Sequence, residues 1–332
     1  MRQLTYVEPG RLEWWEVDEP RLADDREALV RPVAVATCDL DSLLVRGLTP
    51  YKPPLAFGHE CIAEVVEGNR LDPGTLVSVP FQVSCGDCAA CRRGNTGNCE
   101  SVPRLSMFGF GAFGGDWGGF MSDVVRVPYA HHMLVPLPEG VDPEAAASVS
   151  DNVTDAWRTV APHLAERPGA AVLVVGGAGS IGVYAAGIGV ALGAETVDYL
   201  DQDEDRLERA RRLGANAVEG PYPERAGSYP ITVDSSADPA GLSCAVLSTD
   251  WDGVCTSTGI YFEPPTLPLL EPYTKIFTFH TGRVHARPAI PEVLSLIESG
   301  KLHPELVTAR TVGWDDAPDA LADHRGKLVF VP

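Results

Sequence analysis

The chain reads as an α/β protein in two domains, one β-rich and one built on a doubly wound parallel sheet. Its 332 residues exceed what one ordinary core organises, which makes two domains the default. The opening stretch is a series of short strand-like runs broken by Pro, Gly and Asp turns. From Pro168 the pattern changes: an apolar run over 171–175 leads through a glycine-rich turn into an apolar helix ending near Leu192, and further strand and helix segments follow.

Composition narrows the function. At 45% hydrophobic and 22% charged, the chain is globular and leaves no room for a disordered majority. A net charge of −20, from 26 basic and 46 acidic residues, has the wrong sign for nonspecific binding to nucleic acid or to an anionic membrane. No apolar leader follows Met1-Arg2-Gln3, so a cytoplasmic protein is expected. The uncharged run 170–194 is long enough to span a bilayer, but its repeated glycines fit a nucleotide turn and a buried helix better. Eight cysteines without an export signal, four of them clustered, point to metal binding rather than disulfides.

Strands are expected at 4–7, 12–17, 28–36, 62–66 and 76–79, with a Pro-rich loop delivering Phe57-Gly58-His59-Glu60. A lone histidine between apolar runs is ordinarily a satisfied core residue, so His59 acquires meaning only from its surroundings. Next comes Cys85-Gly86-Asp87-Cys88-Ala89-Ala90-Cys91, with Cys99 after seven more residues. Thiolates two residues apart curl around one ion, and a fourth closes a tetrahedron with no water position, which is the pattern of a structural zinc. A bacterial iron–sulfur run would place its fourth cysteine sooner and follow it with Pro, whereas Glu100 follows here. The Gly- and aromatic-rich segment 108–120 is a long loop whose rings, Trp117 among them, plug the core or line a pocket. Strands at 124–127 and 133–135 follow, with His131 and His132 expected on a solvated loop. Asp142-Pro143-Glu144 then starts a helix.

The apolar strand 171–175 runs into Gly177-Ala178-Gly179-Ser180-Ile181-Gly182 and a helix. A second strand over 196–200 ends at Asp201, 19 residues past Gly182. A lone GxGxxG is weak, but the whole unit is the dinucleotide fingerprint. The glycines allow close approach, the helix N-terminus holds the pyrophosphate, and Asp201 takes the adenine ribose hydroxyls. An acid at Asp201 repels a 2′-phosphate, which favours NAD over NADP. Further strands are expected at 231–234, 254–257 and 276–279, and helices at 205–213, 290–299 and about 317–323.

These motifs, in this order and spacing, make the chain resemble the zinc-containing medium-chain alcohol dehydrogenase family over essentially its whole length. The resemblance implies a GroES-like β-rich catalytic domain over 1–152, a Rossmann NAD-binding domain over 153–300, and a return segment over 301–332 completing the first, with the active site between the two domains. It implies two zinc ions per chain, one structural in the lobe and one catalytic held by Cys38, His59 and Asp151. Glu60 would be a nearby carboxylate able to reach the metal, and Asp41 would orient the His59 imidazole. Phe81 matches a family pocket-wall position, and Leu40 and Trp117 are expected in the substrate pocket beside it. The implied chemistry is hydride transfer between NAD(H) and a small-molecule alcohol, aldehyde or ketone, in a homodimer or homotetramer.

Two positions depart from the family pattern. Leu40 stands where a Ser or Thr usually carries the alcohol proton away, and Asp155 stands where a Thr usually faces the nicotinamide. Two alternatives therefore stay open: a zinc-containing reductase of a C=N or conjugated C=C bond, which needs no such relay, and a zinc- and nucleotide-binding protein without catalysis.

Overall fold

The computed structural model describes residues 1–68, 70–322 and 326–332. The chain forms two compact units. The first comprises Met1–Thr154, Val284–Glu298 and Thr308–Pro332, and the second Asp155–Arg283 and Ser299–Val307.

The first unit is β-rich, as the short alternating runs require. Its seven-stranded sheet runs Thr308–Gly313, Lys327–Val331, Ala28–Ala36, Glu60–Gly68, Leu76–Val79 and Val135–Pro136, with Val125–Val127 also paired to Ala28–Ala36. A three-stranded sheet of Arg11–Glu16, Arg2–Glu8 and Leu55–Ala56 lies in the same unit. Early and late parts of the chain meet here: Lys327–Val331 lies antiparallel to Ala28–Ala36, with Val329 opposite Ala36. The Thr37 amide donates to the Leu328 carbonyl at 2.9 Å. Leu4, Tyr6, Phe57, Met121 and Phe330 fill the core, and the rings of Phe108 and Phe120 meet at 4.5 Å between centroids.

Gly58 fixes the approach to His59. Its φ of +93° lies in the left-handed region, and a Cβ there would come within 2.9 Å of the Met121 amide nitrogen. Only glycine fits that turn.

A helix over 290–299 was expected within the nucleotide domain; the helix observed, Ala286–Glu298, groups with the first unit together with 284–285. Periodicity predicts a helix without saying which core receives its apolar face. Here Val284 and Ala286 pack with Phe81, Met107 and Phe110, and His285 Nδ1 accepts from the Gly97 amide at 3.0 Å. Asp323, the expected end of the last helix, lies outside the described residues; the helix observed is Ala317–Ala322.

The second unit carries a six-stranded sheet ordered Asn216–Glu219, Val197–Asp201, Val172–Val175, Tyr229–Asp234, Thr249–Ser257 and Thr278–Thr281. Every pairing is parallel, and the order 3-2-1-4-5-6 is that of a Rossmann fold. Val172–Val175 is buried along its whole length, as a central parallel strand must be. The helix Pro239–Leu247 was not foreseen, although its start was readable: Asp238 caps it by accepting from the Ala240 amide, and Pro239 follows. It is apolar all round and buried, so it has no periodic stripe to detect. Among the described residues, no helix is long and apolar enough to cross a membrane.

Candidate active site

The first unit gathers Cys38, His59, Glu60 and Asp151 so that one ligand atom from each lies within 4.8 Å of the others. Three separate segments deliver them. Cys38 follows the strand Ala28–Ala36, and Glu60 begins the strand Glu60–Gly68 just after His59. Asp151 follows a short 3-10 turn and precedes the helix Asn152–Glu166. Ser150 pins that turn by accepting from the Cys61 amide at 2.9 Å, while its carbonyl accepts from the Phe81 amide.

His59 and Glu60 are 1% and 0% exposed, so these donors face one another rather than water. Nε2 of His59 lies 3.4 Å from Asp151 Oδ2, and Nδ1 lies 3.7 Å from Asp41 Oδ1. Asp41 is itself anchored, accepting from the Cys38 amide at 2.8 Å. The imidazole therefore turns one nitrogen to the donor cluster and the other to a supporting carboxylate.

Crowding shows in the titration of these groups. Burial pushes the Cys38 thiol up, and Asp151, Glu60 and Asp41 push it further. Burial opposes charging of His59, but Asp41, Asp151 and Glu60 outweigh it and raise it to about 9. Burial raises Glu60 to about 8, against the pull of Lys327. Among the described residues, Glu60 Oε1 is buried without a hydrogen-bond partner. A buried cluster of mutually repelling donors with an orphaned carboxylate oxygen fits a divalent cation, and the mixed S, N and O set suits zinc.

Cys85, Cys88, Cys91 and Cys99 form a second group within the same distance limit. The sulfurs of Cys88 and Cys99 are 3.9 Å apart, close to the edge of about 3.8 Å expected for a tetrahedron with Zn–S bonds of about 2.3 Å. Backbone amides of Asp87 and Cys88 point at Cys85 Sγ, and those of Cys91 and Glu100 point at Cys88 Sγ. Burial raises Cys88, but the Glu100 and Cys91 amides prevail and lower it to about 6. These cysteines fit a closed zinc site.

Beside this lobe, His132 departs from the expected solvated loop. It sits half-buried in the short helix Ala130–Met133, with Nε2 3.1 Å from Ser84 Oγ. Burial, then Arg287 and His131, lower its pKa to about 4. An unfolded histidine titrates near about 6.5, so the folded chain resists a proton that the unfolded chain takes. His132 thus contributes stability that is complete above about pH 6.5 and is lost as pH falls toward 4. Melting temperatures of wild type and His132→Gln across that window should converge at the acid end. Parallel curves would contradict this assignment.

In the second unit, Gly177, Gly179 and Gly182 form the turn into the helix Ile181–Ala191, with Ser180 as its N-cap. A Cβ at Gly177, where φ is +132°, would run into the Tyr222 hydroxyl, which donates to the Gly176 carbonyl. Asp201 closes the next strand and is fully buried. Both its oxygens accept from Arg206 at 2.8 Å, and it also accepts from Tyr199 Oη and the Gln202 and Asp203 amides. A ribose hydroxyl would have to replace one of these donors. Asp155 is likewise engaged, accepting from Arg158 Nε at 2.5 Å while Arg158 also donates to the Gly282 carbonyl.

Residues 24–139 match the family described as "Alcohol dehydrogenase GroES-like domain". The chain is 28% identical to a probable zinc-binding alcohol dehydrogenase of Mycobacterium tuberculosis, covering 93% of this chain and 81% of the relative. It is 30% identical to the glutathione-independent formaldehyde dehydrogenase of Bacillus subtilis, covering 89% of this chain and 83% of the relative. The chain belongs to the zinc-containing medium-chain alcohol dehydrogenase family. The solved structure of alcohol dehydrogenase TADH from Thermus sp. ATN1 superposes with a TM-score of 0.90 at 29% identity, covering 100% of this chain and 99% of that one.

For a member of this alcohol dehydrogenase family, the apolar wall beside His59 differs from the sequence expectation. Phe81 stands there, its ring 5.9 Å from His59, and Leu40 packs in the same cluster. Phe110 lies closer, at 4.7 Å, and Tyr51 packs on Phe110. Trp117, expected in this wall, packs instead on the main core of the unit and donates to the Gly114 carbonyl. The bends that Gly111, Gly114 and Gly115 put into this loop, all at positive φ, separate rings that look equivalent in the sequence.

Two residues beside the donors were missed altogether. Lys327 Nζ donates to Glu60 Oε2 at 2.7 Å and to Asn152 Oδ1 at 2.8 Å. The one available signal for Asn152 was its place directly after Asp151.

Proposed function

We propose that this protein is a zinc-dependent dehydrogenase that moves a hydride between a small alcohol or carbonyl compound and NAD(H). The observation that carries the reading is the buried set Cys38, His59, Glu60 and Asp151, present in the same chain as a Rossmann sheet with an intact GxGxxG turn.

Cys38, His59 and Asp151 would hold the catalytic zinc, and Cys85, Cys88, Cys91 and Cys99 the structural one. When bound, the catalytic zinc supplies Lewis acidity toward a substrate oxygen, and the nicotinamide supplies the hydride acceptor or donor. Asp41 holds the His59 ring in orientation through Nδ1. Glu60 offers an alternative oxygen to the cation, restrained by Lys327. Leu40, Phe81 and Phe110 exclude water and present an apolar face, so the proton of an alcohol leaves by a route other than the position of Leu40. The glycines 177, 179 and 182 leave room for a pyrophosphate at the helix N-terminus.

Burial works against ionisation of Asp201, but Arg206, Tyr199 and the Asp203 amide outweigh it and keep its pKa low. An acid at this position of the fingerprint, at the end of the second strand, supports NAD over NADP. The formaldehyde dehydrogenase relative puts short aldehydes and alcohols first among substrates.

The test is a panel of short alcohols, aldehydes and ketones with NAD(H) and NADP(H), followed by absorbance of the reduced coenzyme. Turnover with NAD(H), lost in His59→Ala, is the expected result. A zinc-replete protein inactive across the panel, or a His59→Ala variant of unchanged rate, would overturn the proposal.

A further inference from the structure

We infer that Asn152 is a positioning residue of the catalytic metal site, carrying the positive charge of Lys327 onto Cys38 and Asp151. The inference rests on the metal assignment of the proposed function but not on its reaction.

Asn152 is 1% exposed, and its amide is oriented without ambiguity. An ammonium only donates, so the oxygen that meets Lys327 Nζ at 2.8 Å must be Oδ1. The NH2 group is thereby turned the other way, 3.4 Å from Cys38 Sγ and 3.3 Å from Asp151 Oδ2. One neutral side chain thus links a buried cation to two of the four donors, while the same ammonium reaches a third, Glu60, directly at 2.7 Å.

The chemistry follows from polarity. An ammonium at the carbonyl end polarises the amide and strengthens its N–H groups as donors. An N–H group pointed at a thiolate withdraws electron density from sulfur, so Cys38 gives less charge to a bound cation, which stays a stronger Lewis acid. The contact to Asp151 limits rotation of its carboxylate and selects which oxygen faces the cluster. Support of this kind around a metal commonly accounts for about 10–100-fold in affinity. Asparagine suits the position because it accepts on one side and donates on the other. Aspartate has the same shape and cannot donate.

The test compares wild type with Asn152→Asp and Asn152→Leu, using zinc retention against a competing chelator and the sulfur-to-cobalt charge-transfer band of the cobalt-substituted site. The Cys85 lobe serves as internal control. The expected result in both variants is a band moved to lower energy as the thiolate becomes more electron-rich, with catalytic-site retention lowered about 10–100-fold because the Asp151 carboxylate loses its hold, and lobe metal retained. Folded variants with wild-type retention and an unmoved band would reduce Asn152 to a packing residue and overturn the inference. So would a wild-type chain that holds metal in the lobe alone. Should Asn152→Asp fail to fold, Asn152→Leu still decides, since it removes the donor without adding a charge. Neither readout involves turnover, so an inactive protein with a shifted band would sink the proposed reaction and leave the inference standing.

Discussion

Asp151→Ala is expected to empty the site shared with Cys38 and His59 and to lower hydride-transfer turnover by about a thousandfold. Removing one oxygen leaves a thiolate, an imidazole and the restrained Glu60. The Lewis acidity lost with the ion is worth several kcal/mol, and about 4 kcal/mol corresponds to that factor. Asp151→Cys should keep the ion, because thiolate is an ordinary zinc ligand and the neighbouring donors are unchanged. Metal content and turnover measured on both variants separate the cases. An alanine variant retaining a full second zinc would show that Asp151 is not a ligand.

The second large effect belongs to the lobe. Cys88→Ala removes the sulfur that accepts from the Cys91 and Glu100 amides and sits 3.9 Å from Cys99. Structural zinc supplies ~10 kcal/mol or more of apparent binding free energy at such sites, so its loss should unfold the lobe locally. Hydrogen exchange reads this directly. The amides of Asp87, Cys91, Glu100 and Ser101, which point at sulfur, should lose protection, while the parallel sheet of the second unit keeps its own. Protection that survives both this substitution and chelation would mean the lobe stands without metal.

Sequence reading succeeded where chemistry is local. The cysteines of the lobe, the Gly58-His59-Glu60 triplet and the GxGxxG turn each lie in a short window whose spacing limits what the side chains can do. It failed where a long-range contact decides. Lys327 meets Asn152 across 175 residues, and no periodicity connects them. A helix over 290–299 was visible, yet its unit was not: Ala286–Glu298 groups with the first unit, where Ala286 packs with Phe81 and Phe110. Asp201 was expected to take the ribose hydroxyls, and the donors it holds in the structure, Arg206 and Tyr199, were not legible, because a one-dimensional pattern gives position but not occupancy. Leu40 joins the cluster of Phe81 and Phe110, whereas Trp117 packs on the main core, since loop glycines set the direction of a ring without leaving a period.

The pairing of Lys327 with Glu60 also sets an order of events. The two residues are 267 positions apart, and every strand of the parallel sheet, from Val172 to Thr281, is made between them. During synthesis the carboxylate therefore exists long before its counter-ion, beside Cys38, which is equally early. The α/β sheet can complete its hydrogen bonding while the β-rich unit still lacks the strand Lys327–Val331. Cys38, His59, Glu60 and Asp151 are thus all made before the ammonium that pairs with Glu60, and the charge of Lys327 reaches them only after the parallel sheet has been synthesised.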